Sequence, residues 1–273
     1  RWLRKTPDIF EVDTIDTMNG VWKQTDFSKY DVVFHVAGIA HVDPAPQRAP
    51  LYYKVNRDLA IEAATVAKDS GIRQFIYMSS KIVYHTSKSL KGDVVSKDTQ
   101  PCPNDFYGDS KLQAENALKK LETNDFKVVI LRSCMVYGFG NKGNLPRLAW
   151  LASKTPIFPA WHNKRSMIHV DNLAELIRQI ILRDLRGTFY PQNKEYVDTV
   201  EVVRYFAKLQ GKKIWISRLF NPLVWLGSFV SKSVCKMFAD SYYDQEMSRY
   251  DFDYHVVNFD DSLRDVEPQK NMR

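Results

Sequence analysis

The sequence predicts an α/β protein built on a doubly wound parallel β-sheet, with a smaller lobe toward the C-terminus. Short apolar runs alternate with longer segments whose apolar residues recur at helical spacing, which is typical of βαβ units. Beyond about residue 138, glycine, proline and tryptophan become frequent and this alternation is lost. In open α/β sheets ligands bind beyond the carboxyl ends of the strands, where a second lobe would close a site. We therefore expect a sheet domain over residues 1–137, completed by 166–193, and a lobe formed by 138–165 and 194–273.

The composition excludes several classes of protein. Of the 273 residues, 44% are hydrophobic and 26% are charged, which is unlike disordered, collagenous or disulfide-rich chains. The 39 basic and 32 acidic residues leave a net charge of +7, which favours anionic partners such as nucleotides and does not by itself indicate nucleic acid. The three cysteines are scattered, which fits a reducing cytoplasm and offers no metal-ligand spacing. No run of 18 apolar residues occurs, so no membrane-spanning helix is expected.

The period of the apolar residues assigns each element. The predicted strands are 10–16, 31–38, 74–79, 127–131 and 188–190. The predicted helices are 53–70, with Gly71 as its stop signal, 109–122, 172–183, with Asp171 as its N-cap, and 222–239. The last helix carries Lys232 and Lys236 beside its apolar residues. A lobe helix that buries one apolar stripe is the simpler interpretation, and a helix on a membrane surface or in a dimer interface is the alternative.

A tyrosine and a lysine with the spacing of one helical turn are the strongest chemical signal. Tyr107 and Lys111 lie four residues apart, which on a helix puts both side chains on one face. An ammonium beside a phenol lowers the pKa of the phenol, so that the tyrosine can exchange a proton with an alcohol near neutral pH. The pattern alone is weak, because Tyr190 and Lys194 form a second such pair at the end of a predicted strand.

Five motifs occur in order along the chain and favour the first pair. A buried strand ends in Ser79-Ser80, and Tyr107 follows Ser80 by 27 residues. The other motifs are 31–38 (DVVFHVAG), 54–56 (KVN), 131–132 (LR) with 136–138 (VYG), and 165–171 (RSMIHVD). Together they resemble the extended short-chain dehydrogenases/reductases, in particular the NAD-dependent nucleotide-sugar epimerases and dehydratases. The resemblance covers most of the chain and implies a Rossmann-like dinucleotide-binding domain followed by a substrate-binding lobe.

The resemblance implies a role for each candidate residue. Tyr107 would be the catalytic base and acid, Lys111 would bind the nicotinamide ribose and tune Tyr107, and Ser80 would hydrogen-bond the reacting sugar hydroxyl. The implied NAD-binding residues are Asp16, Ala37, Gly38, Asn56 and Lys111. The implied substrate-binding residues are Ser79, Lys81, Asn144 and Arg165. The guanidinium fork of Arg165 suits a pyrophosphate.

The residues that follow Ser80 bear on the reaction. Dehydratases of the family carry an Asp-Glu pair there, whereas this chain has Lys81-Ile82, so dehydration is not expected. The resemblance implies a 4-epimerase in which hydride passes from C4 to NAD, the 4-keto sugar rotates, and hydride returns to its other face. An NAD(P)H-dependent 4-keto-sugar reductase and a non-catalytic fragment that binds nucleotide sugar are the alternatives. A UDP-linked nucleotide sugar, a homodimer and a cytoplasmic location are further implied.

One glycine motif is a decoy, and the expected one is absent. Residues 138–143 (GFGNKG) match the dinucleotide fingerprint, but they lie in the second half of the fold and no acid follows about 20 residues later. We interpret them as a loop that joins the sheet to the lobe. Residues 10–16 are interpreted as the second strand, with Asp16 as the ribose-binding acid that favours NAD over NADP. Glycines about 20 residues before Asp16 would precede residue 1, so we expect the chain to lack an N-terminal strand and most of a helix.

Overall fold

The computed structural model describes residues 2–40, 46–85, 89–140 and 144–264, which divide into two compact units. The sheet unit comprises Arg1–His85, Thr99–Ser133 and Ala174–Pro191. The second unit comprises Thr86–Asp98, Cys134–Leu173 and Gln192–Arg273. These boundaries differ from the predicted ones, because 86–98 and 166–173 belong to the second unit and the two units are of comparable length.

The regular elements are numbered in chain order. The strands are β1 (Val32–His35), β2 (Gln74–Ser80), β3 (Asp93–Val95), β4 (Lys127–Ser133), β5 (Met135–Tyr137), β6 (Ile157–Pro159), β7 (Met167–His169), β8 (Gly187–Phe189), β9 (Trp215–Ser217) and β10 (Ser241–Tyr243). The helices are α1 (Ala49–Tyr52), α2 (Leu59–Asp69), α3 (Phe106–Leu121), α4 (Asn144–Lys154), α5 (Val170–Leu182), α6 (Thr199–Leu209), α7 (Asn221–Val230), α8 (Lys232–Phe238) and α9 (Phe259–Arg264).

The core of the sheet unit is a four-stranded sheet in the order β1-β2-β4-β8, and every pairing in it is parallel. The central strands β2 and β4 are buried along almost their whole length. In their register Ser80 lies opposite Ser133, so β2 and β4 end side by side. The prediction of a parallel α/β sheet is confirmed, and four of the five predicted strands lie in it.

The predicted strand at 10–16 is wrong. A strand needs a ladder partner for its backbone groups, and none of the described residues pairs with this segment. Local turns form instead on both sides of the segment. The amide of Phe10 donates to the carbonyl of Thr6 at 3.0 Å, and the amide of Met18 donates to Asp16 Oδ1 at 2.9 Å.

Two helical segments pack against the sheet in one buried apolar cluster. One helical segment runs from α1 through a π-helical stretch (Tyr53–Asp58) into α2, so it begins before the predicted start at residue 53. It ends as predicted at Gly71, whose φ of 81° suits glycine. The alanines of α2 and Ala114 and Leu118 of α3 are buried in one cluster with Phe75 and Tyr77 of β2. Small side chains on α2 therefore let the helix pack closely against the strands.

The second unit contains three two-stranded parallel sheets, in which β3 pairs with β10, β5 with β7, and β6 with β9. Its core lies mainly between α4 and α6, with Val200, Val203 and Phe206 fully buried. The predicted helix at 222–239 is divided into α7 and α8 at Ser231, which has extended backbone angles. Among the helices of the described residues, none combines the length and the apolarity that a membrane-spanning segment requires.

The predicted N-cap of α5 is also wrong. Asp171 lies inside the first turn of α5, which begins at Val170. The ring of His169 acts as the cap instead, because its Nδ1 accepts the amide of Asp171 at 3.3 Å. The glycine-rich segment 138–143 follows β5, where Gly138 has a φ of 150°, and its last three residues lie outside the described part of the chain.

Candidate active site

The carboxyl end of β2 meets the first turn of α3. Ser80 ends β2 and caps a single 3₁₀ turn (Lys81–Val83), since its Oγ accepts the amide of Ile82 at 3.3 Å. Asp105 caps α3 by accepting the amide of Gly108 at 2.7 Å. A Cβ on Gly108 would lie 2.4 Å from the carbonyl oxygen of Ile82, so only glycine allows this approach. The contact brings Tyr107 beside Ser80, and a side-chain hydrogen bond joins the two residues.

The phenol of Tyr107 has a raised pKa. Burial is the main cause, the hydrogen bond from Ser80 opposes it, and the nearby Tyr52 and Asp105 add smaller increases. The rings of Tyr52 and Tyr107 are 5.8 Å apart. In the chain by itself, burial raises the pKa of Tyr107, and Lys111 is not among the neighbours that shift it. The predicted role of Lys111 in tuning Tyr107 stays a prediction.

Lys111 lies one turn farther along α3 and is only 5% exposed. Its Nζ donates to the carbonyl of Met78 at 2.8 Å and lies 4.7 Å from the centre of the Tyr77 ring. Burial lowers the pKa of Lys111 to about 8, and the negative charge of Glu115 opposes this shift. The ammonium is thus held by a backbone carbonyl and an aromatic face rather than by the phenol.

The segment that follows β1 approaches Lys111 closely. A Cβ on Gly38 would lie 3.0 Å from Asn56 Oδ1 and 3.2 Å from Lys111 Nζ, so the bare glycine backbone leaves room for both groups. Ala37, just before it, is half-buried. Four of the five predicted cofactor-binding residues, Ala37, Gly38, Asn56 and Lys111, are therefore neighbours.

Asn56 fixes the position of this segment. Its Oδ1 accepts the amide of Ile39 at 2.8 Å, and its Nδ2 donates to the carbonyl of Ile39 at 3.1 Å and to Ser110 Oγ at 3.2 Å. Tyr77 donates its hydroxyl proton to the carbonyl of Asn56 at 2.8 Å. The buried Asn56 side chain thus ties the segment after β1 to α3, and this positioning role was not predicted from the sequence.

A buried ion pair, also not predicted, joins α3 to β4. Glu115 of α3 binds Arg132 of β4 through three contacts between 2.7 and 3.2 Å. Arg132 also donates to the hydroxyl of Tyr84 at 2.7 Å. Ser79 donates to Glu115 Oε1 at 2.5 Å and is 3% exposed, so its predicted contact with substrate is not supported. Because side chains alternate along a strand, Ser79 and Ser80 point to opposite faces.

The two remaining candidate residues of the sheet unit are Asp16 and Lys81. Asp16 is exposed and accepts the amide of Met18, so its carboxylate stabilises a turn and does not end a strand. The strand on which its ribose-binding role was predicted is absent, and that role has no support in the described contacts. Lys81 is half-buried at the first position of the 3₁₀ turn. Its contact with substrate stays a prediction.

Arg165 and Asn144 belong to the second unit. Arg165 pairs through its backbone with Val197, and its Nη1 donates to the carbonyls of Lys236 at 2.7 Å and Ala239 at 3.3 Å. Burial lowers the pKa of its guanidinium, and Asp240 opposes the shift. Asn144 is the first residue of α4, and its side chain lies outside the described residues. Their phosphate-binding and substrate-binding roles stay predictions.

The residues around Tyr107 fit one end of a dinucleotide. The glycine at position 38 leaves room for the Asn56 and Lys111 side chains, Lys111 offers a donor to ribose hydroxyls, and the Ser80–Tyr107 pair stands beside them. Within the described ranges no cluster of three or more His, Cys, Asp or Glu side chains could hold a metal. The hydroxyls of Ser80 and Tyr107 and the ammonium of Lys111 suit proton exchange beside a bound cofactor.

The parallel sheet and its helices define an α/β protein with a Rossmann-like core. The structure of UDP-glucuronic acid 4-epimerase from Bacillus cereus, in complex with NAD, superimposes with a TM-score of 0.64 over 89% of this chain and 74% of that one. The identity is 21%, so this likeness shows the fold alone.

The sequence comparisons identify the family. Residues 3–190 match the model of the NAD dependent epimerase/dehydratase family, and the chain belongs to this family. UDP-glucose 4-epimerase of Vibrio cholerae is 33% identical over 79% of this chain and 69% of its own length. A second relative, from Escherichia coli O157:H7, is 26% identical over 78% of this chain and 65% of its own length. It is N-acetyl-alpha-D-glucosaminyl-diphospho-ditrans,octacis-undecaprenol 4-epimerase.

Proposed function

We propose that the protein is an NAD-dependent sugar 4-epimerase that acts on a diphosphate-linked hexose through a transient 4-keto sugar. The observation that carries this proposal is the close contact of α3 with the turn after β2, which brings Tyr107 beside Ser80 with Lys111 one helical turn away. Both named relatives are 4-epimerases, which supports the choice of reaction within the family. Lys81-Ile82 after Ser80 supports it as well, because neither side chain can act as the acid of a dehydration.

In this proposal the residues of the chain handle the proton and the orientation of the sugar. NAD, when bound, supplies the acceptor and donor of hydride. Tyr107 Oη takes the proton of the sugar's C4 hydroxyl and returns it to the C4 oxygen when the opposite epimer forms. Ser80 donates to the Tyr107 oxygen and so stabilises the phenolate that the first step needs. Lys111, with a pKa of about 8, is mostly protonated at neutral pH and holds a ribose hydroxyl as a donor.

The carrier of the sugar is the part of the substrate on which the relatives differ. One relative is named for a UDP-linked sugar and the other for a sugar on undecaprenol diphosphate. We propose the UDP-linked sugar because the relative with the higher identity uses it. The two free cysteines that are buried and the third that is exposed are consistent with the reducing cytoplasm, where we propose that the reaction takes place.

The test is the interconversion of UDP-glucose and UDP-galactose by the 273-residue chain with added NAD. Tyr107→Phe should lower kcat about a thousandfold, because it removes the group that exchanges the proton. The matched control is Tyr30→Phe, which also removes a hydrogen-bonded hydroxyl, here one that donates to Asp13 at 2.7 Å on the surface. The control should leave kcat within about twofold.

Three results would contradict the proposal. Tyr107→Phe with kcat close to that of the unsubstituted chain would remove Tyr107 from the mechanism. Stoichiometric consumption of NADH with a 4-keto sugar would identify a reductase instead. Absence of turnover together with absence of NAD binding, followed by tryptophan fluorescence, would favour a non-catalytic sugar-binding chain.

A further inference from the structure

Helix α7 and the turn before it expose a continuous set of large apolar side chains. Each member of the set is more than half exposed, and Val230 reaches 88%. The members are Leu219, Leu223, Trp225, Leu226, Phe229 and Val230. Val224 alone among the large apolar residues of α7 is fully buried, in the core of the second unit. We call the six exposed residues the α7 face.

The members of the α7 face are neighbours rather than scattered residues. Leu223, Leu226 and Val230 of α7 follow one another at intervals of three and four positions, which lines them up along one side of the helix, and Leu219 lies in the 3₁₀ turn just before it. Trp225 packs edge-on against Phe229 with ring centres 4.9 Å apart. Single exposed apolar residues are normal on a protein surface, but a continuous apolar patch indicates a surface that binds another protein or a membrane.

The charge of the segment that contains the α7 face favours an anionic membrane as its partner. Residues 211–239 contain five basic residues and no acidic residue, although the whole chain has 32 acidic residues. The five are Lys212, Lys213, Arg218, Lys232 and Lys236. Of these, Lys213, Arg218 and Lys236 are exposed and have no carboxylate partner among the described residues. An exposed apolar helix in a segment that carries only basic charges is complementary to acyl chains beneath anionic headgroups.

We propose that α7 lies in the interface of an anionic membrane and holds the protein on its surface. At ten residues α7 is about 15 Å long, which is half the thickness of a bilayer core, so it would lie in the surface plane rather than span it. The interfacial region also suits tryptophan, as in Trp225. A second copy of the chain fits less well, because a twofold contact would bring two basic segments together. The inference does not depend on the proposed reaction.

The experiment is flotation of the 273-residue chain with lipid vesicles. Vesicles with one quarter phosphatidylglycerol in phosphatidylcholine should carry the chain, and pure phosphatidylcholine vesicles should carry much less of it. Binding should weaken strongly in about 0.5 M salt, since the Debye length then falls to a few ångströms. The tryptophan emission should shift to shorter wavelength with the anionic vesicles, and Trp225→Phe should remove most of that shift.

Paired variants separate the α7 face from the general surface. Leu223→Ser with Phe229→Ser, and separately Lys213→Glu with Arg218→Glu, should each weaken vesicle binding about tenfold or more. The matched controls are Ile9→Ser with Met18→Ser, which are also exposed apolar positions, and Lys119→Glu with Lys120→Glu, which are exposed on the last turn of α3. Neither control should change the binding by more than about twofold, and circular dichroism should show that all four variants are folded.

Three outcomes would overturn the inference. Wild-type chain that does not float with anionic vesicles would do so, as would loss of binding that is equal in the α7 variants and in their controls. The third is a concentration-dependent dimer, seen by light scattering, that Leu223→Ser with Phe229→Ser dissociates without any effect on vesicle binding. That result would assign the α7 face to a second copy of the chain.

Discussion

Lys111 is a charged residue in an almost fully buried position, and this burial lowers the pKa of its ammonium group. The pKa of Lys111 is about 8 in the folded chain, below its ordinary value of 10.5. Between these two pH values, the folded chain therefore binds fewer protons than the unfolded chain does. The free energy of unfolding therefore rises with pH across this window, and the stabilising contribution is lost as the pH falls through about 8. Below that pH the full cost of the buried ammonium remains.

Lys111→Met tests this pH dependence of the free energy of unfolding, because it keeps the length of the side chain and removes the charge. Urea unfolding at about pH 7 and about pH 10 should show that wild type gains stability relative to the variant by up to about 3 kcal/mol. The comparison with the variant cancels the titration of all other groups. A difference between the two chains that does not change with pH would contradict a buried, protonated Lys111.

At the level of single residues, the sequence predicts which candidate residues lie close together better than it predicts the groups that surround them. Ser80, Tyr107 and Lys111 were identified by spacing and motif order, and they lie together. Glu115 was missed, although it stands four residues after Lys111 on the same helix. In the sequence, an acid at that position resembles an ordinary surface residue. The structure shows that it is buried and paired with Arg132 of β4.

At the level of elements, the contact of α3 with the turn after β2 sets the geometry of the site. Gly108 rests against the carbonyl of Ile82 so closely that any side chain would displace the helix. Tyr107 and Ser80 stand directly beside this contact. The alignment of the two hydroxyl groups therefore depends on one missing Cβ.

Gly108→Ala tests this dependence. The added Cβ would lie 2.4 Å from backbone oxygen, so the first turn of α3 has to move, and kcat for epimerisation should fall at least about tenfold. Gly227→Ala is the matched control, because it is also a helical glycine but its Cβ would meet only the side chain of Val234 at 3.3 Å. Unchanged kcat in Gly108→Ala, or an equal loss in both variants, would contradict the role given to this contact.

The elements that the sequence predicted correctly are those with strong internal signals. The strands 74–79 and 127–131 are continuous apolar runs, and both are central in the sheet. Residues 10–16 have the residue types of a strand, but strand formation depends on a partner that no local pattern reveals. The cap of α5 was missed for a related reason, because a histidine ring two residues before Asp171 is not among the usual capping side chains.

At the level of the whole molecule, the two units have separate cores, and the chain passes between them several times. The change in composition near residue 138 predicted this division only approximately. Segment 86–98 was assigned to the first domain because it follows β2 in sequence, yet its β3 pairs with β10 from nearly the end of the described chain. Pairing between such distant residues cannot be read from the period of a single segment.

In the proposed reaction, the hydrogen that leaves C4 of the sugar is the same one that returns to it. The most direct measurement uses UDP-glucose deuterated at C4, with NAD, and follows the label in the UDP-galactose that forms. The product should keep deuterium at C4, with no label in the solvent and no net formation of NADH. Loss of the label to water, or one NADH formed for each sugar converted, would contradict it.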